Sequence, residues 1–215
     1  MGVVDRTIRS LRRRVTATVT DPAVRRRYDT LRRRVTPRPA RLAAEHRRVG
    51  LLVAVTIRPG SFCVDIGATD DTSLDTVVRL APGVAHLVVA PSERRAAIIR
   101  ERHPNCDVRI GDLVSQQLDG LLEGRQPAFV RIDCSPNTHS VLEGSVSMLR
   151  TTMPVIVLCL RGGTDHTDID RISDLLSGAG YRLFDLDGHG PFDRDEIATR
   201  TADGEPHTFV AVPPA

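Results

Sequence analysis

Apolar positions at Val4, Ile8, Leu11, Val15 and Val19 recur every three or four residues with arginines between them, a spacing that predicts a basic amphipathic helix over 3–19. Asp21 as N-cap and Pro22 at the first helical position predict a second helix that ends near Thr36, before Pro37 and Pro39. LRRRVT occurs twice, at 11–16 and 31–36, too few copies for a solenoid. From Arg41 the period alternates. Helices are expected near 41–57, 70–80, 92–101, 118–122, 139–150 and 168–176. Short apolar runs between them, at 62–66, 86–89, 107–110, 129–132 and 155–160, predict strands, and two more near 181–186 and 207–212 close the chain. Strands alternating with helices imply a parallel sheet covered on both faces. The last two strands, with no helix expected between them, imply an antiparallel hairpin. This divides the chain into a basic helical arm, 1–40, and an α/β domain, 41–215.

A length of 215 residues with 40% apolar and 27% charged content suits one domain plus an extension. No apolar run approaches the roughly 18 residues of a membrane span. The arginines of residues 1–14 have no apolar stretch behind them, unlike a secretory signal, so a cytoplasmic location is expected. All 30 basic residues are arginine, which reads as the coding bias of a GC-rich bacterial genome. Charge distribution says more. Residues 1–60 hold 16 Arg against four acids, a net +12, while the remainder is −9. The segment 3–36 therefore has three readings: helical packing, including homo-oligomer contacts; peripheral contact with an anionic inner-membrane surface; or nucleic-acid binding. The last is disfavoured because only Tyr28 offers the arginine clusters a stacking platform.

The cysteines at 63, 106, 134 and 159 include no CxxC pair, so neither zinc nor a disulfide framework is indicated; Cys63, Cys134 and Cys159 fall in or beside apolar strands, as buried thiols do. The run from Asp185 to Glu196 has carboxylates at several calcium-loop positions, but it lacks the entering helix, and an acidic excursion between the last strands is expected instead. The run Thr164 to Asp170 sets a histidine among carboxylates; Thr164 or Asp165 as N-cap and Asp168 near the positive helix end account for it without a metal. The strand–glycine–helix junction Val64-Asp65-Ile66-Gly67-Ala68-Thr69-Asp70-Asp71 lets backbone approach a ligand, while Asp70 and Asp71 put negative charge where a phosphate would need positive. A cationic or neutral nucleoside is compatible with this junction, and so is simple helix capping by either aspartate.

Val64-Asp65-Ile66-Gly67-Ala68, Gln117-Leu118-Asp119, Phe129-Val130-Arg131-Ile132-Asp133, Val141-Leu142-Glu143-Gly144, Met153-Pro154-Val155-Ile156-Val157-Leu158 and Gly180-Tyr181 follow one another in an order and spacing that resembles the FkbM-type S-adenosylmethionine-dependent methyltransferases over about residues 50–212. The resemblance implies a Rossmann-like class I methyltransferase fold, a mostly parallel seven-stranded sheet ending in a reversed hairpin. It implies S-adenosylmethionine as cofactor, near Asp65, Gly67, Ala68, Thr69, Asp70, Ala90, Pro91 and Asp112, and a hydroxyl of a small or lipid-linked metabolite as acceptor. Asp133 and His139 are the candidate bases, and Arg161 is the candidate partner for an anionic acceptor. The departures are specific. Ala90-Pro91 stands where the family has Glu-Pro, whose carboxylate would hold the ribose; Glu93 is the candidate substitute. Asp133-Cys134-Ser135-Pro136-Asn137-Thr138 lacks two family glutamates, and Cys159 replaces another. These losses leave a second reading open, a methyltransferase fold that has kept its scaffold, lost its chemistry and acts as a binding partner.

Overall fold

A computed structural model describes residues 36–67, 72–111, 117–133, 137–160, 164–202 and 205–214; both expected arm helices lie almost wholly outside this set. The chain divides into two compact units, 1–44 and 45–215. In chain order the elements are α1 (Arg38–Thr56), β1 (Phe62–Ile66), α2 (Thr72–Leu80), β2 (Leu87–Ala90), α3 (Glu93–Arg102), β3 (Asp107–Ile110), α4 (Leu118–Leu122) and β4 (Pro127–Ile132). They continue with α5 (Thr138–Glu143), α6 (Val146–Thr151), β5 (Val155–Leu160), α7 (His166–Gly178), β6 (Arg182–Asp185), α8 (Arg194–Thr201) and β7 (His207–Val212).

The seven strands form one sheet in the order β3-β2-β1-β4-β5-β7-β6. β1 to β5 pair in parallel, and β7 runs antiparallel to both β5 and β6. All five β1 residues are buried, because helices cover both faces and neither face can be polar without cost. On one face Val49 and Val53 of α1, with Ile57 just beyond its end, press onto Cys63, Phe129 and Val157; beside them Leu74 packs on Val88, Ala96 and Ile99. The opposite face, with Val64, Ile66, Val130, Ile132, Ile156 and Leu158, is closed by Leu142, Leu149, Ile169, Ile172, Leu176 and Ile197 from the later helices.

Two sequence expectations are corrected. The last two strands are antiparallel neighbours but not a simple hairpin: α8 lies between them, started by a capping box in which the Asp193 carboxylate accepts from the Glu196 N–H and Glu196 accepts from the Asp193 N–H. A short, strongly charged helix carries too little apolar periodicity to be seen, whereas the Asp-x-x-Glu spacing of the box was legible. The helix expected over 139–150 is broken into α5 and α6 at Gly144-Ser145. There Asp119 acts as an external cap, accepting from the Ser147 and Met148 N–H groups at 2.8 and 2.9 Å. A Cβ on Gly144 would lie 3.1 Å from Gln117 Cα, so the motifs Gln117-Leu118-Asp119 and Glu143-Gly144 describe one close backbone crossing. In the acidic excursion Asp185 accepts from the Asp187 and His189 N–H groups and contacts His189 Nδ1 at 2.9 Å, and Asp187 pairs with Arg48, also at 2.9 Å. No group of three metal-ligating side chains occurs among the described residues.

Candidate functional site

The strand order reverses between β1 and β4, and their carboxyl ends define the rim where sheets of this kind bind ligands. Asp65 on β1 is level with Arg131 on β4. Residues two apart on a strand share a face, so Arg131 and Asp133 project on the same side as Asp65, toward α1 and α2. The result is a buried ionic bridge. Arg131 Nη1 lies 3.5 Å from Asp65 Oδ2 and Nη2 lies 3.3 Å from Asp133 Oδ2, with all three side chains at most 9% exposed. One guanidinium thus lies between two carboxylates. The backbone closes beneath it: the Gly67 N–H donates to Val89 O and the Asp133 N–H to Ile66 O, both at 2.9 Å. Gly67 turns out of the strand at φ 76°, a conformation that a side chain would strain.

Burial and the same carboxylates act on the neighbouring thiols. Cys159, level with Thr208 on β7, has its pKa pushed up to about 12, chiefly by burial and then by the negative charges of Asp133 and Glu45. Cys63 is likewise pushed up to about 12 by burial and by Asp65. Both are therefore thiols rather than nucleophilic thiolates at neutral pH. Glu45 of α1 accepts a short hydrogen bond from Thr208 Oγ1, which ties that helix to the same end of the sheet.

Of the residues singled out in the sequence, Asp65, Gly67 and Asp133 meet at this rim. Ala90 ends β2 with its side chain in the apolar cluster of Leu74, Val88, Ala96 and Ile99, and Pro91 beyond it is exposed. Ala68, Thr69, Asp70, Asp112 and Arg161 lie outside the described residues. Glu93 is not turned back toward β2: its Oε1 pairs with Arg100 Nη1 at 3.2 Å, along its own helix, while Ser92 caps that helix by accepting from the Arg95 N–H. His139 is in the first turn of α5. It is 18% exposed, with Nδ1 3.1 Å from Asp168 Oδ1 and Nε2 3.1 Å from Ser140 Oγ. Arg131 and Asp168 were missed as site residues. A charged side chain in an otherwise apolar, doubly covered strand was the available signal for Arg131; no local signal links Asp168 to His139.

No protein-family model matches the chain, and no curated protein matches it. Among solved structures it is similar to a TehB-like SAM-dependent methyltransferase from Corynebacterium glutamicum, at 14% identity and TM-score 0.54, over 90% of this chain and 100% of that one. It is also similar to the CcbJ methyltransferase from Streptomyces caelestis, at 15% identity and TM-score 0.51, over 80% and 90% of the two chains. The plantazolicin methyltransferase BpumL, in complex with a pentazolic desmethylPZN analog and SAH, aligns at 13% identity and TM-score 0.50, over 91% and 93%. At these identities the likeness is one of fold, and the chain has the Rossmann-like class I methyltransferase fold.

Proposed function

We propose that this chain is an S-adenosylmethionine-dependent methyltransferase of the FkbM type that O-methylates a small or lipid-linked metabolite. The observation that carries the reading is the Asp65–Arg131–Asp133 bridge at the carboxyl ends of β1 and β4, where the strand order reverses. Two carboxylates at this rim suit a cationic donor, and the left-handed Gly67 lets backbone come close to one. S-adenosylmethionine supplies an electrophilic methyl group on a sulfonium. Asp65 and Gly67 flank the donor, with Ala68, Thr69, Asp70, Ala90, Pro91 and Asp112 around it. Alignment of donor and acceptor carries much of such a transfer. Asp133 and His139 are the groups available to take the acceptor's hydroxyl proton, and Arg161 is available to an anionic acceptor.

A second reading, a scaffold or binding protein without turnover, is favoured by the end of β2. Ala90 provides no carboxylate for the ribose, and Glu93 is engaged by Arg100. The loss of one charged hydrogen-bond partner costs roughly 1.5–3 kcal/mol, or about ten- to a hundredfold in affinity. Titration calorimetry with S-adenosylmethionine and with its demethylated product separates the two readings. The methyltransferase reading expects dissociation constants below about millimolar for both, weakened by that factor, whereas a stably folded chain that binds neither supports the scaffold.

The basic segment 3–36 is proposed to make homo-oligomer contacts or to lie on an anionic lipid surface, where each arginine near the headgroups contributes about 1 kcal/mol, and vesicle flotation separates the two. On the lipid alternative the full chain floats with phosphatidylglycerol-containing vesicles at low salt and not with phosphatidylcholine alone. Replacing Ile8 and Leu11 with Glu should release it. Equal flotation of that variant, or self-association without flotation, removes the lipid assignment.

A further inference from the structure

α5 enters from the carboxyl end of β4 and α7 from that of β5, adjacent strands of the sheet, so the first turns of the two helices meet above the rim. His139 from one and Asp168 from the other come to 3.1 Å, both about one-fifth exposed. The carboxylate lies at the Nδ1 side of the ring within ion-pair distance, without hydrogen-bond geometry in the resting arrangement. Nε2 faces the Ser140 hydroxyl at 3.1 Å. An imidazole set between a carboxylate at one nitrogen and a hydroxyl at the other has its proton arrangement chosen for it. The negative charge favours the proton on Nδ1, which leaves Nε2 as the acceptor. Catalytic hydrogen bonds are often poorly aligned before substrate is bound and tighten in its complex.

Resting on the methyltransferase reading, we propose that Asp168 is a positioning residue: it holds His139 in the Nδ1-protonated tautomer, with Nε2 turned to take the proton of the acceptor hydroxyl. Ser140 Oγ marks where that hydroxyl meets the ring. In the step, the acceptor oxygen forms its bond to the methyl carbon as the sulfur–carbon bond breaks, the bonding pair stays with sulfur, and the hydroxyl proton passes to Nε2. Asp168 takes no proton and balances the imidazolium charge. A bland alternative, Asp168 as an acid placed for the positive end of α7, predicts no effect on the state of the ring.

The test uses the full chain and three measurements. Imidazole 15N shifts of His139 should report a protonated Nδ1 and a bare Nε2 in the wild type, a change of tautomer mixture in Asp168→Asn, and restoration in Asp168→Glu. Methyl transfer to a responsive hydroxyl acceptor should show kcat in Asp168→Asn lowered roughly a hundredfold, as removal of assisted proton transfer does, with S-adenosylmethionine affinity unchanged and with partial rescue by Glu. Unchanged 15N shifts, or unchanged kcat, in Asp168→Asn overturns the proposal while leaving the methyltransferase reading in place. Calorimetry distinguishes the other failure, since a wild-type chain that binds no donor defeats that reading and this assignment together.

Discussion

Arg131→Met should be the most destabilising single substitution at the rim, lowering unfolding free energy by about 3–5 kcal/mol, the usual cost of removing one partner from a buried ionic group. The methionine fills much of the arginine's length, so the loss is electrostatic rather than a cavity. Asp65 and Asp133 would face each other across the β1–β4 boundary without the guanidinium that now lies 3.5 and 3.3 Å from them. At this chain length each kcal/mol moves the melting temperature about 2–4 °C, so the variant should melt some 6–20 °C below the wild type. Neutralising all three side chains, with Asp65→Asn and Asp133→Asn added, should recover part of the loss, because exchanging buried ionic partners together for neutral residues is often close to energetically neutral. Urea unfolding checks both. A single variant within 1 kcal/mol of the wild type would mean that the bridge does not hold β1 to β4.

His86→Leu should come next, at about 2–6 kcal/mol, because it strands two buried backbone groups at about 1–3 kcal/mol each. His86 Nδ1 accepts from the Cys63 N–H at 3.3 Å, which leaves Nε2–H to donate to Ala81 O at 3.1 Å, so one neutral imidazole joins the start of β1 to the end of α2. Burial lowers its pKa below the ordinary 6.5, the opposing carbonyl bond notwithstanding. The sign follows from proton counts. Below pH 6.5 the unfolded chain binds a proton that the folded chain still refuses, so stability declines as pH falls from about 6.5 to the depressed folded value and is flat in this respect above it. Urea midpoints between pH 7.5 and 5 should fall in the wild type, with that component missing in His86→Leu. The same slope in both proteins would refute the assignment.

The rim was legible in part. Asp65, Gly67 and Asp133 could be found because each lies within a residue of the end of an apolar strand, a feature confined to a few consecutive residues. Arg131 stood in one of the quoted motifs yet was passed over, since only its register with Asp65 on a strand more than sixty residues away gives it a role. His139 was a candidate base with no partner named, and Asp168 was read as a helix-end acid. Each reading suits an isolated helix, and only the packing of α5 beside α7 joins them. Asp119 and Gly144 were quoted for their resemblance, but they owe their identities to a cap and a close backbone crossing between segments about 28 residues apart.

Periods of two and of 3.6 residues are local properties, so the amino-acid order alone determined the alternation of strands and helices, the parallel sheet they imply and the charge break near residue 60. The strand order, the helix between β6 and β7, and the buried ionic bridge and the His139–Asp168 pair at the rim came only with the tertiary structure. Those depend on which distant segments bury their apolar faces against one another, and that long-range packing sets the register that brings Asp65, Arg131 and Asp133 into one buried bridge.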